Sequence, residues 1–414
     1  MESRKLQIPN GMQDTLPGEC LAKRRLEGEL RRLFSLSGYQ EIETPVLEYY
    51  GTLDDATYGY QPEHVWKTFD RNGRVLALRP DSTIPAVRLA AGLLREEPLP
   101  LRLCYLQNMT KYNSDPLSML CEQTQAGVEL MGESSLQADA EVIALSIEAL
   151  KTAGLRDFQI ELGQAGFFQG FMQEAGLTDA QCVVMRDLVE QKNSLGMQLY
   201  LQKLSVSEDV TRRLMQLPRL YGDVSVLDEA AALTNHALCR ASLHSLRQVI
   251  DILRAWGLEQ YLTIDLGMVH EAGYYSGLIF QGQTRDLGQP LLSGGRYDGL
   301  PQRFGRAMPA VGFALSLKLL MIALEKQGAS FASPVPDCML GFAQGCLVRA
   351  IDYARAAREK GVSVAMLYDT SPAELRCRVA RGMCRRAVYI SADGNQTMIL
   401  PDVQASAKEE QVHE

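Results

Sequence analysis

The segment from Leu103 to Gly132 constrains the fold more than any other part of this chain, because it joins two strand patterns through a turn. The first pattern runs to Tyr112, the turn covers 113–116, and the second pattern runs over Glu122–Gly132. Asn, Ser, Asp and Pro in the turn favour a reversal of the chain over a continuous strand. The sequence therefore predicts a long antiparallel hairpin inside a larger sheet.

The rest of the chain predicts an α+β protein. Apolar residues at helical spacing predict a helix over 22–34 and another over 135–153, and alternation predicts a strand over 39–47 and another over 75–78. Residues 178–257 show helical patterns and form a predicted insertion, after which strand patterns return at 261–266 and 274–281. We interpret 293–299 as a turn before the last helix of this domain.

The C-terminal part alternates strand and helix patterns. They predict strands at 337, 362–368 and 386–391, helices over 347–359 and 371–382, and a last strand after a turn at 392–395. A separate small α/β module is expected over 335–403, and the polar segment 404–414 is expected to be disordered.

Composition narrows the class of protein. The chain has 414 residues, a net charge of -8 and nine cysteines, none of them spaced Cys-x-x-Cys. Scattered cysteines in odd number favour reduced thiols and a cytoplasmic protein. No run approaches the roughly 18 apolar residues of a membrane-spanning helix. His and Cys show no metal-ligand spacing, and no cofactor is expected.

Several segments, in one order, resemble the catalytic domain of histidyl-tRNA synthetases, which belong to the class II aminoacyl-tRNA synthetases. The resemblance covers about residues 8–325 and implies an antiparallel sheet flanked by helices, in a domain spanning 1–325. The segments are Gly11–Asp14, Glu43–Glu48, Leu78–Thr83, the Leu103–Gly132 hairpin, Tyr274–Tyr275, Gly294–Asp298 and Val311–Ala314.

The resemblance implies a pocket for histidine. Asp81, Thr83 and Gln125 match positions that hold the amino and carboxylate ends of the ligand. Glu129 and Tyr275 match positions that contact the imidazole, and Tyr274 belongs to the same pocket. These residue types can accept from an ammonium, orient a carboxylate and accept from an imidazole N–H. The alternative is that they satisfy one another as packed residues of an inherited sheet.

The positions that handle ATP in the synthetases differ here. Lys111 stands where the family has an arginine that clamps the α-phosphate, and Asn113 replaces an acidic residue. His270 and Leu319 each replace a further arginine. Lysine lacks the planar two-pronged guanidinium, and leucine has no charge. Because formation of an adenylate from ATP needs preorganised cations on the transferring phosphate, a working synthetase is not expected.

A synthetase-like domain with an amino-acid pocket and a degraded ATP site resembles the regulatory subunits of ATP phosphoribosyltransferase. That resemblance implies a noncatalytic chain that forms a hetero-oligomer, a hetero-octamer in the family, with the short-form catalytic subunit. It further implies that the chain is required for the first step of histidine biosynthesis and that histidine acts as effector. A homodimer through the class II core, at Glu41–Tyr49 and the first helix, is expected as well.

Two other functions are open at this point. An active histidyl-tRNA synthetase, or another amino-acid-activating ligase, would use Lys111 in place of arginine. An RNA-binding module would recognise a tRNA-like molecule through the C-terminal region, which looks like a shortened anticodon-binding domain. A cationic helix in that region is formed by Arg376, Arg378, Arg381, Arg385 and Arg386. Such a helix is more often a solvated face, and tRNA is not the expected partner.

Overall fold

The computed structural model describes residues 6–53, 65–111, 121–204, 206–269 and 274–401. The chain forms two compact units. One ends at Phe331, and the other covers the chain from Ala332 onward together with residues 16–21. Each unit has its own sheet and buried core.

Twelve strands of the first unit form two sheets. They are β1 (Gln40–Glu41), β2 (Leu47–Tyr49), β3 (Lys67–Phe69), β4 (Val75–Leu78), β5 (Leu101–Thr110), β6 (Glu122–Met131), β7 (Gln159–Gln164), β8 (Tyr221–Gly222), β9 (Leu262–Asp265), β10 (Leu278–Gln283), β11 (Leu292–Arg296) and β12 (Ala310–Ser316). The main sheet has the order β1-β5-β6-β12-β11-β10-β7-β9-β8, and β2-β4-β3 form a separate antiparallel sheet. In the main sheet only the pairs β1/β5 and β7/β9 are parallel among the described strands.

The helices of the first unit surround these sheets; the first of them, α1, begins with residues that belong to the second unit. They are α1 (Pro17–Leu36), α2 (Tyr50–Leu53), α3 (Thr83–Ala91), α4 (Leu136–Thr152), α5 (Ala165–Glu174), α6 (Asp179–Glu190), α7 (Ser194–Lys203), α8 (Glu208–Leu214), α9 (Val226–Leu233), α10 (Ala237–Ala255), α11 (Gly299–Arg303) and α12 (Leu317–Lys326). Side-chain caps set several starts: Ser135 accepts from the Ala138 N–H at 3.4 Å before α4, and Ser316 accepts from the Leu319 N–H at 3.3 Å before α12.

Strand register divides the main sheet into two faces. Val128 pairs with Phe313, and the row continues through Gly294, Phe280 and Leu162. Paired residues project to one face and the next residues project to the other. The apolar members of this row are buried in the larger core with α1, α4 and α10. This first face therefore anchors the sheet to the helices.

The adjacent row lies on the second face. Glu129 pairs with Gly312, and the row continues through Gly295, Ile279 and Gly163. A smaller core covers one end of this face, where α3 packs against apolar residues of β5 and β12. Polar groups on the second face are thus brought close to the start of α3.

The insertion predicted over 178–257 contains α6 to α10. A capping box begins α6, because the Thr178 N–H donates to Gln181 Oε1 at 2.9 Å and the Thr178 side chain accepts from the Gln181 N–H. Within the insertion, Tyr221–Gly222 form a short edge strand that pairs antiparallel with β9. The insertion therefore contributes to the main sheet as well as to the helical layer.

The second unit is a four-stranded sheet with one helix on each side. Its strands are β13 (Cys338–Phe342), β14 (Val364–Leu367), β15 (Arg386–Ile390) and β16 (Gln396–Ile399), and its helices are α13 (Leu347–Glu359) and α14 (Pro372–Ala380). The order is β14-β13-β15-β16, with β16 antiparallel to β15. The predicted alternation of strands and helices is confirmed in this unit.

Two other predictions need correction. The strand expected over 39–47 is two strands in different sheets, since β1 pairs with β5 and β2 pairs with β4. The turn expected over 293–299 is wrong, because Gly294 and Gly295 lie inside β11. A Cβ at Gly294 would stand 2.7 Å from Phe313 Cβ, so glycine is required there for close packing of strands.

No helix within the described ranges has both the length and the apolar character needed to span a membrane. The predicted turn at 113–116 and the tail at 404–414 lie outside the described residues.

Candidate functional site

The six predicted pocket residues come from three parts of the first unit. They are Asp81 and Thr83 at the start of α3, Gln125 and Glu129 on β6, and Tyr274 and Tyr275 before β10. Gln125 Oε1 accepts from the Ser82 N–H at 3.0 Å, which joins β6 to the start of α3. Asp81 Oδ1 accepts from the Ile84 N–H at 3.2 Å. The structure thus gathers residues that are nearly 200 positions apart in the chain.

Glu129 is the centre of this cluster. Glu129 is only 1% exposed, and its Oε1 accepts from the Tyr105 hydroxyl at 3.0 Å. Oε2 accepts from the Tyr297 hydroxyl. Burial raises the pKa of Glu129 to about 7, and hydrogen bonds from three neighbouring hydroxyls limit the increase. A carboxylate has about four acceptor positions, so Glu129 can accept from a further donor.

Asp81 is the second carboxyl group of the site. Burial raises the pKa of Asp81 to about 6, while backbone hydrogen bonds and the positive charge of Lys111 oppose the increase. The charge of Asp81 in turn contributes to the raised pKa of Glu129. The site therefore has two acidic groups that interact and that change charge close to neutral pH.

Glycines on the second face leave room for these side chains. A Cβ at Gly312 would overlap Glu129 Oε2, and a Cβ at Gly127 would stand 2.6 Å from the Tyr105 hydroxyl. At Gly295 a Cβ would stand 2.7 Å from the Tyr275 ring. The carboxylate and the rings therefore rest directly on the backbone of β6, β11 and β12.

We expect Gly312→Ala to displace the Glu129 carboxylate and to destabilise the fold by about 1–3 kcal/mol, the usual range for overpacking a buried position. Gly299→Ala is the matched control, because nothing lies within 4 Å of a Cβ at Gly299. Thermal unfolding and titration with histidine would measure both effects. Equal behaviour of the two variants would contradict the close approach of Glu129 to β12.

Aromatic rings form one wall of the site. The ring centroids of Tyr274 and Tyr275 are 4.9 Å apart, and Tyr274 meets Tyr297 edge-on at 6.0 Å. Burial raises the pKa of both Tyr274 and Tyr275, so their hydroxyls stay neutral donors. A cleft of about 600 Å³ adjoins this wall and is lined also by Gln169 of α5 and Arg303 of α11.

The predicted ATP-site positions are only partly described. Lys111 forms an isolated bridge with Val65, and its N–H donates to the Cys121 carbonyl at 2.8 Å. Leu319 on α12 packs against the larger core. Asn113 and His270 lie outside the described residues. Where Leu319 stands, the structure has an apolar contact in place of a cation.

Comparison with known proteins decides the family. A family model described as Histidyl-tRNA synthetase matches residues 11–320. The ATP phosphoribosyltransferase regulatory subunit of Acetivibrio thermocellus is 39% identical over 88% of this chain and 87% of its own length. The chain belongs to the family of ATP phosphoribosyltransferase regulatory subunits.

Solved structures agree with membership of the regulatory subunit family. A protein of Bacillus halodurans described as an ATP phosphoribosyltransferase regulatory subunit/histidyl-tRNA synthetase superposes with a TM-score of 0.83 at 31% identity, over 94% of this chain and 98% of that one. Histidyl-tRNA synthetase from Nostoc sp. PCC 7120 gives a TM-score of 0.78 at 21% identity, over 95% and 97% of the two chains, which shows the fold alone. The predicted class II synthetase-like α+β fold is confirmed, and so is the regulatory-subunit class over its two alternatives.

Sequence reasoning missed two residues of the site in this regulatory subunit. Tyr105 was read as a strand residue of the hairpin, and Tyr297 as part of the Gly294–Asp298 segment. Both are at most 2% exposed and donate to Glu129. Alternation along β5 places Tyr105 on the same face as Leu103, but only the strand register, in which Leu103 pairs with Glu129, brings that face to the carboxylate. The sequence alone therefore had no signal for Tyr105.

A buried arginine holds part of the framework of the regulatory subunit. Arg79 is 3% exposed and donates to the carbonyls of Thr44 at 2.6 Å, Pro45 at 3.0 Å and Asn108 at 2.5 Å. Arg79 therefore ties the segment before β2 to β5.

Within the described residues, no group of His, Cys, Asp and Glu has the arrangement of a metal site.

Proposed function

We propose that this chain is a noncatalytic regulatory subunit that associates with the short-form catalytic subunit of ATP phosphoribosyltransferase. In this role it is required for activity of the catalytic subunit and transmits feedback inhibition by histidine. Two features together carry the proposal. The Glu129 carboxylate is held in place by two tyrosine hydroxyls, and Leu319 puts an apolar side chain where the resemblance expects an arginine. An amino-acid pocket has its hydrogen-bonding partners in place, whereas a cation expected for ATP is replaced.

Histidine is the proposed ligand of the Glu129 pocket. Glu129 accepts the imidazole N–H, and the tyrosine rings enclose the imidazole plane. Asp81 accepts from the ligand ammonium, while Thr83 and Gln125 orient its polar end. Two tyrosine hydroxyls already fix the position of Glu129, so little ordering of that side chain is needed when the ligand binds.

Activation of an amino acid by ATP is not part of the proposed function. Lys111 supplies a point charge and lacks the bidentate geometry with which arginine holds a phosphate. Loss of one donor to a transferring group commonly costs about 3–4 kcal/mol of transition-state stabilisation. The apolar side chain of Leu319 removes a second such donor, which supports a role in binding over a role in catalysis.

Assembly is proposed at two levels. Exposed apolar residues in the small sheet and directly before it support the proposed homodimer contact; they are Val46, Leu47, Tyr49, Phe69 and Val75. A hetero-octamer with the catalytic subunit follows the family resemblance.

Functionally, residues 1–325 form the proposed ligand-binding and assembly domain, and residues 335–403 form a separate module with no proposed tRNA partner. Feedback requires that histidine favour one state of this assembly over another.

The direct test is the ATP phosphoribosyltransferase rate of a short-form catalytic subunit from the same organism. The rate is measured with and without this chain, and each measurement is repeated with histidine. Activation by the chain and inhibition of the mixture by histidine are the expected results. A folded catalytic subunit whose rate does not respond to the chain would overturn the proposal.

Histidine binding should depend on pH near neutrality. Glu129 has a pKa of about 7 in the ligand-free protein, and Asp81 has a pKa of about 6. Both carboxyl groups accept from the ligand in their charged forms, so each must lose its proton before binding. Affinity should therefore rise with pH through this range, by up to about tenfold per unit for each proton released. Calorimetric titrations between pH 6 and 8, in buffers of different ionisation enthalpy, measure affinity and proton release together. A flat profile without proton release would contradict the proposed roles of both groups.

A further inference from the structure

Lys111, directly after the hairpin strand β5, lies on the same face of the main sheet as the Glu129 pocket. Its N–H donates to the Cys121 carbonyl at 2.8 Å, which continues the ladder with β6 one residue beyond β5. Alternate residues of a strand project to one face, so Lys111 shares a face with Tyr105, the residue that donates to Glu129. This half-buried lysine therefore stands on the pocket side of the sheet.

Lys111 is also close to Asp81, the acidic group at the start of α3. The Thr110 N–H donates to the Arg79 carbonyl at 2.8 Å, and these two residues precede Lys111 and Asp81 by one and two positions. The positive charge of Lys111 lowers the pKa of Asp81 and so opposes the rise that burial causes. A cation and an anion therefore stand next to each other where β5 meets the start of α3.

The amide of Gln125 is oriented by the backbone of Ser82. Ser82 is fully buried, and its N–H donates to Gln125 Oε1 at 3.0 Å. A backbone N–H can only donate, so the amide turns its oxygen toward Ser82 and its NH2 group away. This NH2 group donates to no residue among those that the structure describes, and Gln125 is half-buried. The pocket thus presents an oriented donor on β6 in addition to Lys111.

These three polar groups match the two charged ends of a free amino acid. An α-amino acid carries an ammonium and a carboxylate on the same carbon atom. The Asp81 carboxylate suits the ammonium, whereas the Lys111 ammonium and the Gln125 NH2 group suit the carboxylate. A ligand with an ammonium but no carboxylate would bring a like charge toward Lys111 without an anion to compensate it. The arrangement therefore favours one class of ligand and disfavours the other.

We propose that Lys111 holds the carboxylate of the bound amino acid and so makes the pocket selective for a zwitterion. The proposal rests on the proposed function, because it assigns a further residue to the histidine pocket. When the ligand binds, Asp81 pairs with its ammonium and Lys111 pairs with its carboxylate, so each of the four charges has a partner. Lysine is sufficient for this role, since a single carboxylate can be held by a point charge without the two-pronged guanidinium.

The test compares histidine with histamine, which has the same imidazole and amine but no carboxylate. Isothermal titration calorimetry of the full chain at about pH 8 keeps Glu129 and Asp81 ionised. The unaltered chain should bind histidine about tenfold or more tightly than histamine. Lys111→Met should weaken histidine binding about tenfold or more. It should not weaken histamine binding, because histamine then no longer meets a like charge.

Two further variants complete the experiment. Lys111→Arg keeps the charge and should retain the preference for histidine. Lys151→Met is the matched control, because it removes an exposed lysine of α4 that pairs with Glu148, and both affinities should stay within about twofold. An equal loss of both ligands in Lys111→Met, or no preference for histidine in the unaltered chain, would overturn the role of Lys111 alone. If the unaltered chain bound neither ligand, the histidine pocket of the proposed function would be overturned with it.

Discussion

Glu129→Gln is expected to weaken histidine binding by roughly 100-fold. The substitution keeps the size of the side chain but replaces a charged acceptor, buried to 1% exposure, by a neutral amide. Removing one partner of a buried charged hydrogen bond costs about 2–5 kcal/mol, and each 1.4 kcal/mol is about tenfold in affinity. Isothermal titration calorimetry with histidine measures the change.

Glu122→Gln provides the matched control for this prediction. Glu122 lies on the same strand, β6, but is exposed and bonds only to the Asn108 amide among the contacts described. We expect its effect on histidine binding to stay within about twofold, as for a surface substitution. If Glu129→Gln binds histidine as tightly as Glu122→Gln, histidine is not held by this carboxylate, and Glu129 serves only the packing of the tyrosines.

The largest expected effect on stability belongs to Arg296→Met. Arg296 is 8% exposed, and its guanidinium donates to Asp139 at 2.9 Å and to the Glu133 carbonyl at 3.1 Å. Methionine would fill most of the volume but leave Asp139, which is 2% exposed, without its charged partner. Breaking a buried ion pair from one side costs about 3–5 kcal/mol of unfolding free energy.

Urea unfolding followed by tryptophan fluorescence reports this loss, because Trp66 and Trp256 both belong to the first unit. Arg254→Met is the control: its ion pairs with Asp251 and Glu259 are exposed, and their loss should cost at most about 1 kcal/mol. Removing both buried charges, with Arg296→Met and Asp139→Leu together, should recover much of the stability. An Arg296→Met cost no larger than that of Arg254→Met would refute the buried-pair explanation.

Local pattern was sufficient to predict several elements. The hairpin strands were predicted over 103–112 and 122–132, and the structure has β5 at Leu101–Thr110 and β6 at Glu122–Met131. Ser135 was predicted to open α4 and does so as its cap. In these segments the period of apolar residues and the capping residues lie within a few positions of each other, so no distant contact is needed to interpret them.

Features that depend on register were not accessible from the sequence. Tyr297 reaches Glu129 across 168 positions of the chain, and only the pairing of β11 with β12 and of β12 with β6 brings these strands together. A buried tyrosine in a strand pattern cannot be distinguished from an ordinary core aromatic. Gly294 and Gly295 misled the prediction in the same way, since glycine serves both turns and close strand packing.

The hydroxyl donors of Glu129 also couple the proposed pocket to the stability of the fold. Tyr105 and Tyr297 fill the smaller core with their rings while their hydroxyls hold the carboxylate. A mutation that removes either ring leaves a cavity in the core and a buried carboxylate without its hydrogen-bond donor. Selection against unfolded chains is therefore enough to preserve the pocket. Leu319 belongs to a helix whose packing accepts an aliphatic side chain. Substitution at position 319 is therefore not opposed by the stability of the fold, whereas substitution in the proposed histidine pocket is.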